Sequence, residues 1–246
     1  VGKVAAFAAL LRVFVVGLPF YRDDWRPAVW LLAVLSLVIG SVLAVVQTDV
    51  KRMLAYSSIS HAGFILVGVE AAGHRAGEAD AGLGVPSALV YLLAYAVMVA
   101  GTFAVVTLVA RQGDRRTDLD AFRGLGKTRP VLALALTVFL VAQAGVPFTS
   151  GFIAKFGVIS AGVDERSYAL ALIAMLASVI AAFLYLRIMV SAWMADPTDD
   201  EVAAGPVRIP LAAGVAIAAA VGFTLFVGIF PDWLLEAAER TTEFAR

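Results

Sequence analysis

What most constrains this chain is the recurrence of apolar runs long enough to cross a lipid bilayer. A helix rises 1.5 Å per residue, so a span needs roughly 20 largely apolar residues. Seven stretches meet or approach that length: 4–20, 29–46, 53–69, 85–110, 130–162, 168–194 and 209–230. Composition agrees. Of 246 residues, 61% are hydrophobic and only 15% charged, against about half and about a quarter in a soluble domain. Mean hydropathy is +0.91. These values exclude a water-facing globule, a disordered chain, a nucleic-acid-binding domain and a secreted disulfide scaffold. Nineteen basic residues balance nineteen acidic ones, so no bulk charge points to a polyanionic partner. Cysteine is absent, which removes disulfides, thiolate metal sites and thiol redox chemistry.

The expected fold class is therefore an all-α integral membrane protein of about seven transmembrane helices. Residues 1–194 read as the main membrane domain. Residues 195–246 read as a linker, a final transmembrane helix and a tail, with 233–246 expected to form a short surface helix carrying Leu234, Leu235, Ala238 and Phe244. The chain opens on Val1 and its first run has no cleavage site, so it reads as part of a longer protein without a signal peptide.

The fifth run is too long for one straight helix, and at its middle stands Gly145-Val146-Pro147-Phe148-Thr149-Ser150-Gly151. Proline removes an amide donor and glycine loosens the backbone. The run is expected to form two half-helices. Irregular backbone at membrane depth is tolerated where protein encloses it or it lines a wet cavity. Lys155 lies just past the break, and Thr149 is a polar group within it. A buried amine beside half-helix ends is a place where neighbours set proton affinity. The competing reading is a lysine that snorkels to the interface.

The stretch 49–64 is the most distinctive. On a helix Ser57, Ser60 and His61 fall at i, i+3 and i+4 and share a face. Hydroxyls in line with an imidazole can relay protons; they can equally serve as hydrogen bonds between helices. Lys51 and Arg52 stand at the start of that helix, as interfacial anchors or as the mouth of a proton uptake path. Tyr91, Tyr95, Met98 and Thr102 form another stripe, in which Tyr95 and Thr102 either pack or line a hydrated passage. Lys3 reads by pattern as an ordinary flanking lysine. Arg12 and Arg187 also interrupt apolar runs. Asp and Glu, Glu70 included, are expected only in loops and at span ends. His74 is expected in a polar loop, on a different element from His61. With no phosphate loop, dinucleotide fingerprint, His-rich set or nucleophile triad, the sequence points to no cofactor and no metal.

Alternate loops carry Lys51, Arg52, Arg111, Arg115, Arg116, Arg123, Lys127, Arg129 and Arg208 on one side, and Arg22, Arg26, Arg75, Arg166, Arg240 and Arg246 on the other. Nine against six places the first side in the cytoplasm and the C-terminus outside.

The segment Gln47-Thr48-Asp49-Val50-Lys51-Arg52-Met53-Leu54-Ala55-Tyr56-Ser57-Ser58-Ile59-Ser60-His61-Ala62-Gly63 resembles the signature of the antiporter-like membrane subunits of respiratory complex I and of multisubunit cation/proton antiporters. Gly145-Val146-Pro147 leading to Gly151-Phe152-Ile153-Ala154-Lys155-Phe156 is similar to their broken-helix motif, and residues 178–187 to the helix after it. Lys3-Val4-Ala5-Ala6-Phe7 resembles their central-lysine helix, and Arg123-Gly124-Leu125-Gly126 with Pro130 the loop before the break. Within the family the N-type branch is most similar, since the M-type carries glutamate where Lys155 stands and the L-type usually has an acidic residue where Phe156 stands. Ala154 and Phe148 depart from the common pattern.

The resemblance implies the second of two inverted five-helix repeats with flanking helices, in a bacterial-type inner membrane. It turns Lys3 into a central relay lysine. It also implies a proton relay through Lys3, His61 and Lys155, taken up near Lys51 and supported by Ser57, Ser60, Tyr95 and Thr149. The implied partners are other complex I membrane subunits, lipid, water and protons, with redox and quinone chemistry in partner subunits elsewhere in the complex. A monovalent cation/proton antiporter subunit and a passive membrane scaffold are the alternatives.

Overall fold

The computed structural model describes residues 2–78, 82–110, 117–197 and 209–243. Among the described residues it is a helical bundle whose only strand-like feature is an isolated antiparallel bridge between Asp49 and Asp118. The helices are α1 (Gly2–Leu11), α2 (Arg22–Val46), α3 (Val50–His74), α4 (Gly84–Ala110), α5 (Leu125–Thr128), α6 (Pro130–Ala144), α7 (Ser150–Asp164), α8 (Tyr168–Met194), α9 (Leu211–Ile229) and α10 (Asp232–Glu243). α1 continues as a π-helical turn, Arg12–Gly17, whose Arg12 is exposed.

Among the described residues five helices are long and apolar enough to cross a membrane, against about seven spans expected from the sequence: Pro19–Val46, Val50–His74, Gly84–Ala110, Tyr168–Met194 and Leu211–Ile229. The fifth apolar run divides into α6 and α7, of fifteen residues each. α3 is the most enclosed of the long helices, wrapped by α2, α4, α7 and α8. α2, α8 and α9 present Leu31, Val38, Leu172, Val179, Val215 and Phe226 outward, as lipid-facing helices must.

Local chemistry sets the boundaries. The Asp49 side chain accepts from the Arg52 amide at 2.9 Å and so starts α3. α2 and α3 approach closely because Gly40 has no side chain; a Cβ there would meet the Ser60 amide at 2.4 Å. α6 ends on Gly145, whose φ of 87° is the left-handed conformation. The Gly145 amide donates to Ala142 O at 2.9 Å and the Val146 amide to Val141 O at 3.2 Å, the Schellman arrangement that consumes the last carbonyls of a helix. Thr149 restarts the chain by accepting from the Phe152 amide at 3.4 Å. At the break Val146 and Phe148 are exposed while Thr149 and Ser150 are buried.

One correction concerns His74, and the structure adds to the picture of Glu70. His74 is the last residue of α3 and shares that helix with His61, because α3 runs five residues beyond its apolar stretch. Glu70 lies near a helix end yet is buried, since the starts of α2 and α8 close over it. In the tail, Asp232–Glu243 forms α10, with Leu234 and Ala238 packed against Val90 and Val227. Arg111, Arg115, Arg116, Arg208, Phe244 and Arg246 lie outside the described residues.

The end of the bundle that carries Lys51 is tied by backbone bonds, Val50 N to Thr117 O at 2.7 Å and Leu119 N to Thr48 O at 3.0 Å. Arg187 donates to Val45 O at 3.1 Å and Gln47 O at 2.9 Å, capping the carbonyl end of α2. At the same end Lys127 bonds the Asp196 carboxylate and, with its charge, holds that carboxyl below its ordinary range.

Candidate functional site

The site grows from the polar face of α3. His61, 2% exposed, places Nδ1 2.7 Å from the Tyr91 hydroxyl on α4 and Nε2 3.0 Å from the Tyr185 hydroxyl on α8. The Tyr185 hydroxyl also lies 2.5 Å from Ser57 Oγ, one helical turn before His61. Four groups from three helices thus make one line: Ser57, Tyr185, His61, Tyr91. A hydroxyl both donates and accepts, and a neutral imidazole does one at each nitrogen. The bonds in such a line can reverse direction in concert, which is what passing a proton requires. Tyr95 packs its ring on His61 with centroids 4.9 Å apart.

Lys155 comes from the second turn of α7 and is 5% exposed. Its Nζ donates to Ala144 O at 3.0 Å and to Ser178 Oγ at 2.8 Å. Ala144 is the last residue of α6, so the amine sits on the partial negative charge of a half-helix end. Nζ also stands 4.9 Å from the centroid of the Phe64 ring, one turn beyond His61 on α3. Phe64 lies between the two stations, with its ring centroid 6.3 Å from that of His61.

Lys3 is exposed and donates to Ser58 O at 3.0 Å and to Ser58 Oγ. Ser58 lies on α3 three residues before His61, so Lys3 meets the helix that carries the imidazole. Ser60 Oγ is buried and makes no hydrogen bond to the protein. Lys51 is not brought to this group; it stands ten residues before His61 on α3, roughly 15 Å along the axis. Thr149 is spent on the break, donating to Val146 O at 2.7 Å and capping α7.

Tyr185 and Ser178 escaped the sequence reading, although they lie seven residues apart and so share one face of α8. Gln143 was also missed; its amide donates to the Thr102 hydroxyl at 2.7 Å, tying α6 to α4 beside the break.

Residues 1–181 match the family described as NADH:quinone oxidoreductase/Mrp antiporter, transmembrane. The chain is 44% identical over 245 residues to NADH-quinone oxidoreductase subunit N of Rhodococcus opacus, covering 99% of this chain and 43% of that protein. It is 39% identical over 248 residues to the subunit N of Mycobacterium tuberculosis, covering 99% and 45%. The chain therefore spans less than half the length of these curated relatives. Among solved structures it superposes on a chain of Thermus thermophilus respiratory complex I with bound aureothin at TM-score 0.76 and 30% identity, covering 95% of this chain and 48% of that one. A chain of the Mrp complex from Dietzia shares the fold at TM-score 0.81 and 24% identity, covering 96% and 50%.

Proposed function

The chain belongs to the NADH:quinone oxidoreductase/Mrp antiporter transmembrane family, and from that premise we propose that it serves an N-type membrane subunit that translocates protons within an NADH–quinone oxidoreductase. One observation carries the reading: a hydrogen-bonded line of Ser57, Tyr185, His61 and Tyr91 lies buried beside a second buried base, Lys155. Ionisable groups within a membrane are costly and by default mark a pathway. The names of the relatives favour redox-coupled translocation over cation antiport or a passive scaffold.

In this reading protons are taken up near Lys51 on the cytoplasmic side, pass between Lys3 and His61 with Ser57, Ser60 and Tyr95 assisting, and leave through Lys155. The driver is electrostatic, because a change of charge on one group alters the proton affinity of the next. Moving one charge across 100 mV costs about 2.3 kcal/mol, equivalent to about 1.7 pKa units. A single buried neighbour's charge supplies a change of that size. Partner subunits of the complex supply the redox energy, and this chain contributes no electron-transfer step of its own. The chain sits in a bacterial-type inner membrane with its C-terminus outside. Lys155→Ala in the assembled complex is expected to lower proton pumping per NADH oxidised; unchanged pumping refutes the role given to Lys155.

A further inference from the structure

At the end of α3 remote from Lys51, a second ionisable group is enclosed by three helices, and the relay described above makes no use of it. The Glu70 side chain is 3% exposed. Its Oε1 lies 3.4 Å from Arg26 Nη2 on α2 and 3.0 Å from His74 Nε2, and its Oε2 accepts from Ser167 Oγ, just before α8, at 2.9 Å. His74 Nε2 also stands 2.5 Å from Arg26 Nη2 and 3.3 Å from Ser167 Oγ.

These distances cannot all be hydrogen bonds in one protonation state. Arginine only donates and a carboxylate only accepts. Without a proton, Nε2 accepts from Arg26 but turns a lone pair toward Glu70. With a proton, Nε2 donates to Glu70 but confronts the arginine N–H. A proton on Glu70 makes the carboxyl the donor to Nε2, where it competes with Arg26 for the single lone pair. One proton therefore selects among the arrangements.

The site also faces water-sized space. A cavity of about 480 Å³ is lined by Asp23, Arg26, Pro27, Trp30, Glu70 and Ser167, with room for several waters. Arg26 Nε, at its margin, is buried and makes no hydrogen bond to the protein. The surrounding charges are mostly paired. Arg26 Nη1 lies 3.8 Å from Asp23, Arg22 bonds Glu78 at 2.8 Å, and Arg75 bonds Glu165 at 2.7 Å. Arg22 also donates to the His74 carbonyl at 3.2 Å, which fixes the end of α3.

We infer that Glu70 and His74 form a proton-binding site on the membrane face opposite Lys51, exchanging one proton with water in that cavity. The exchange balances simply: hydronium gives its proton to the pair and leaves as water, and the reverse releases it. Arg26 is the positive charge beside the pair. The inference rests on the proton-translocating reading and gives that reading an outer station.

The test uses the complete subunit, assembled in its membrane complex and reconstituted into vesicles, with pumping followed while the pH on the cavity side is varied. Glu70→Gln is expected to lower pumping several-fold and to shift its dependence on cavity-side pH by about one unit or more. Glu70→Asp should restore pumping in part. His74→Asn should move the same profile, and it carries the test where Glu70→Gln does not assemble. An unmoved profile in the assembled variants overturns the site, as does a loss of pumping that Glu70→Asp does not relieve. If Lys155→Ala is defective in the same preparation, the site alone has failed. If Lys155→Ala also pumps normally, the functional reading has failed with it.

Discussion

His61 and Tyr185, 124 residues apart in sequence, share a 3.0 Å hydrogen bond in the centre of the bundle. The tyrosine hydroxyl is the only link between the imidazole and Ser57 among the described hydrogen bonds. It makes a continuous line out of two groups that α3 places on one face but does not itself join.

Removing that hydroxyl tests the line. Tyr185→Phe keeps the ring and its packing but leaves Ser57 Oγ and His61 Nε2 each short of a buried partner, a cost of about 1–3 kcal/mol. The variant is expected to assemble, to melt at a lower temperature and to pump more slowly. Thermal unfolding and dye-monitored pumping of the purified complex check both outcomes.

Gly145 holds the break open for Lys155. Its φ of 87° disfavours any residue with a Cβ, and a Cβ there would meet Lys155 Cδ at 2.8 Å. Gly145→Ala therefore combines backbone strain, about 1 kcal/mol or more, with displacement of the amine. Pumping should fall in this variant, and its melting temperature should drop. An unaffected pump would mean that the amine tolerates movement away from Ala144 O and Ser178.

The Lys127–Asp196 bond gives a pH dependence whose sign is set. The folded carboxyl is held below its ordinary value near 3.8, first by the hydrogen bond and then by the charge of Lys127. Its contribution is present above the ordinary carboxylate range and is lost as pH falls through the lowered value. The tie should thus persist at neutral pH. Lys127→Gln should raise the titration midpoint of Asp196, read by isotope-edited infrared spectroscopy of its carboxylate. Both side chains are largely exposed, so Asp196→Asn should leave the melting temperature at neutral pH unchanged.

Much of the site can be located from single helices. The spacing of Ser57, Ser60 and His61 identifies the polar face of α3, and all three are buried. The glycine and proline at 145 and 147 mark the interruption that α6 and α7 flank. His74 was misplaced because hydropathy ends a span where apolar residues end, while a helix continues as long as its hydrogen bonds do; the burial of Glu70 comes instead from the starts of α2 and α8. Ser60 shares the polar face, yet its Oγ bonds to no protein group.

The sequence by itself determined the all-helical membrane class, the rough extent of the apolar runs, the break, and which residues share a face. These follow from the cost of exposing polar backbone in lipid and from the helical repeat. Only the tertiary structure decided that Tyr185 joins Ser57 to His61, that Lys155 rests on the end of α6, and that Arg26 and Ser167 close over Glu70. Each of those contacts pairs residues from different helices, and periodicity along a chain carries no information about which faces meet.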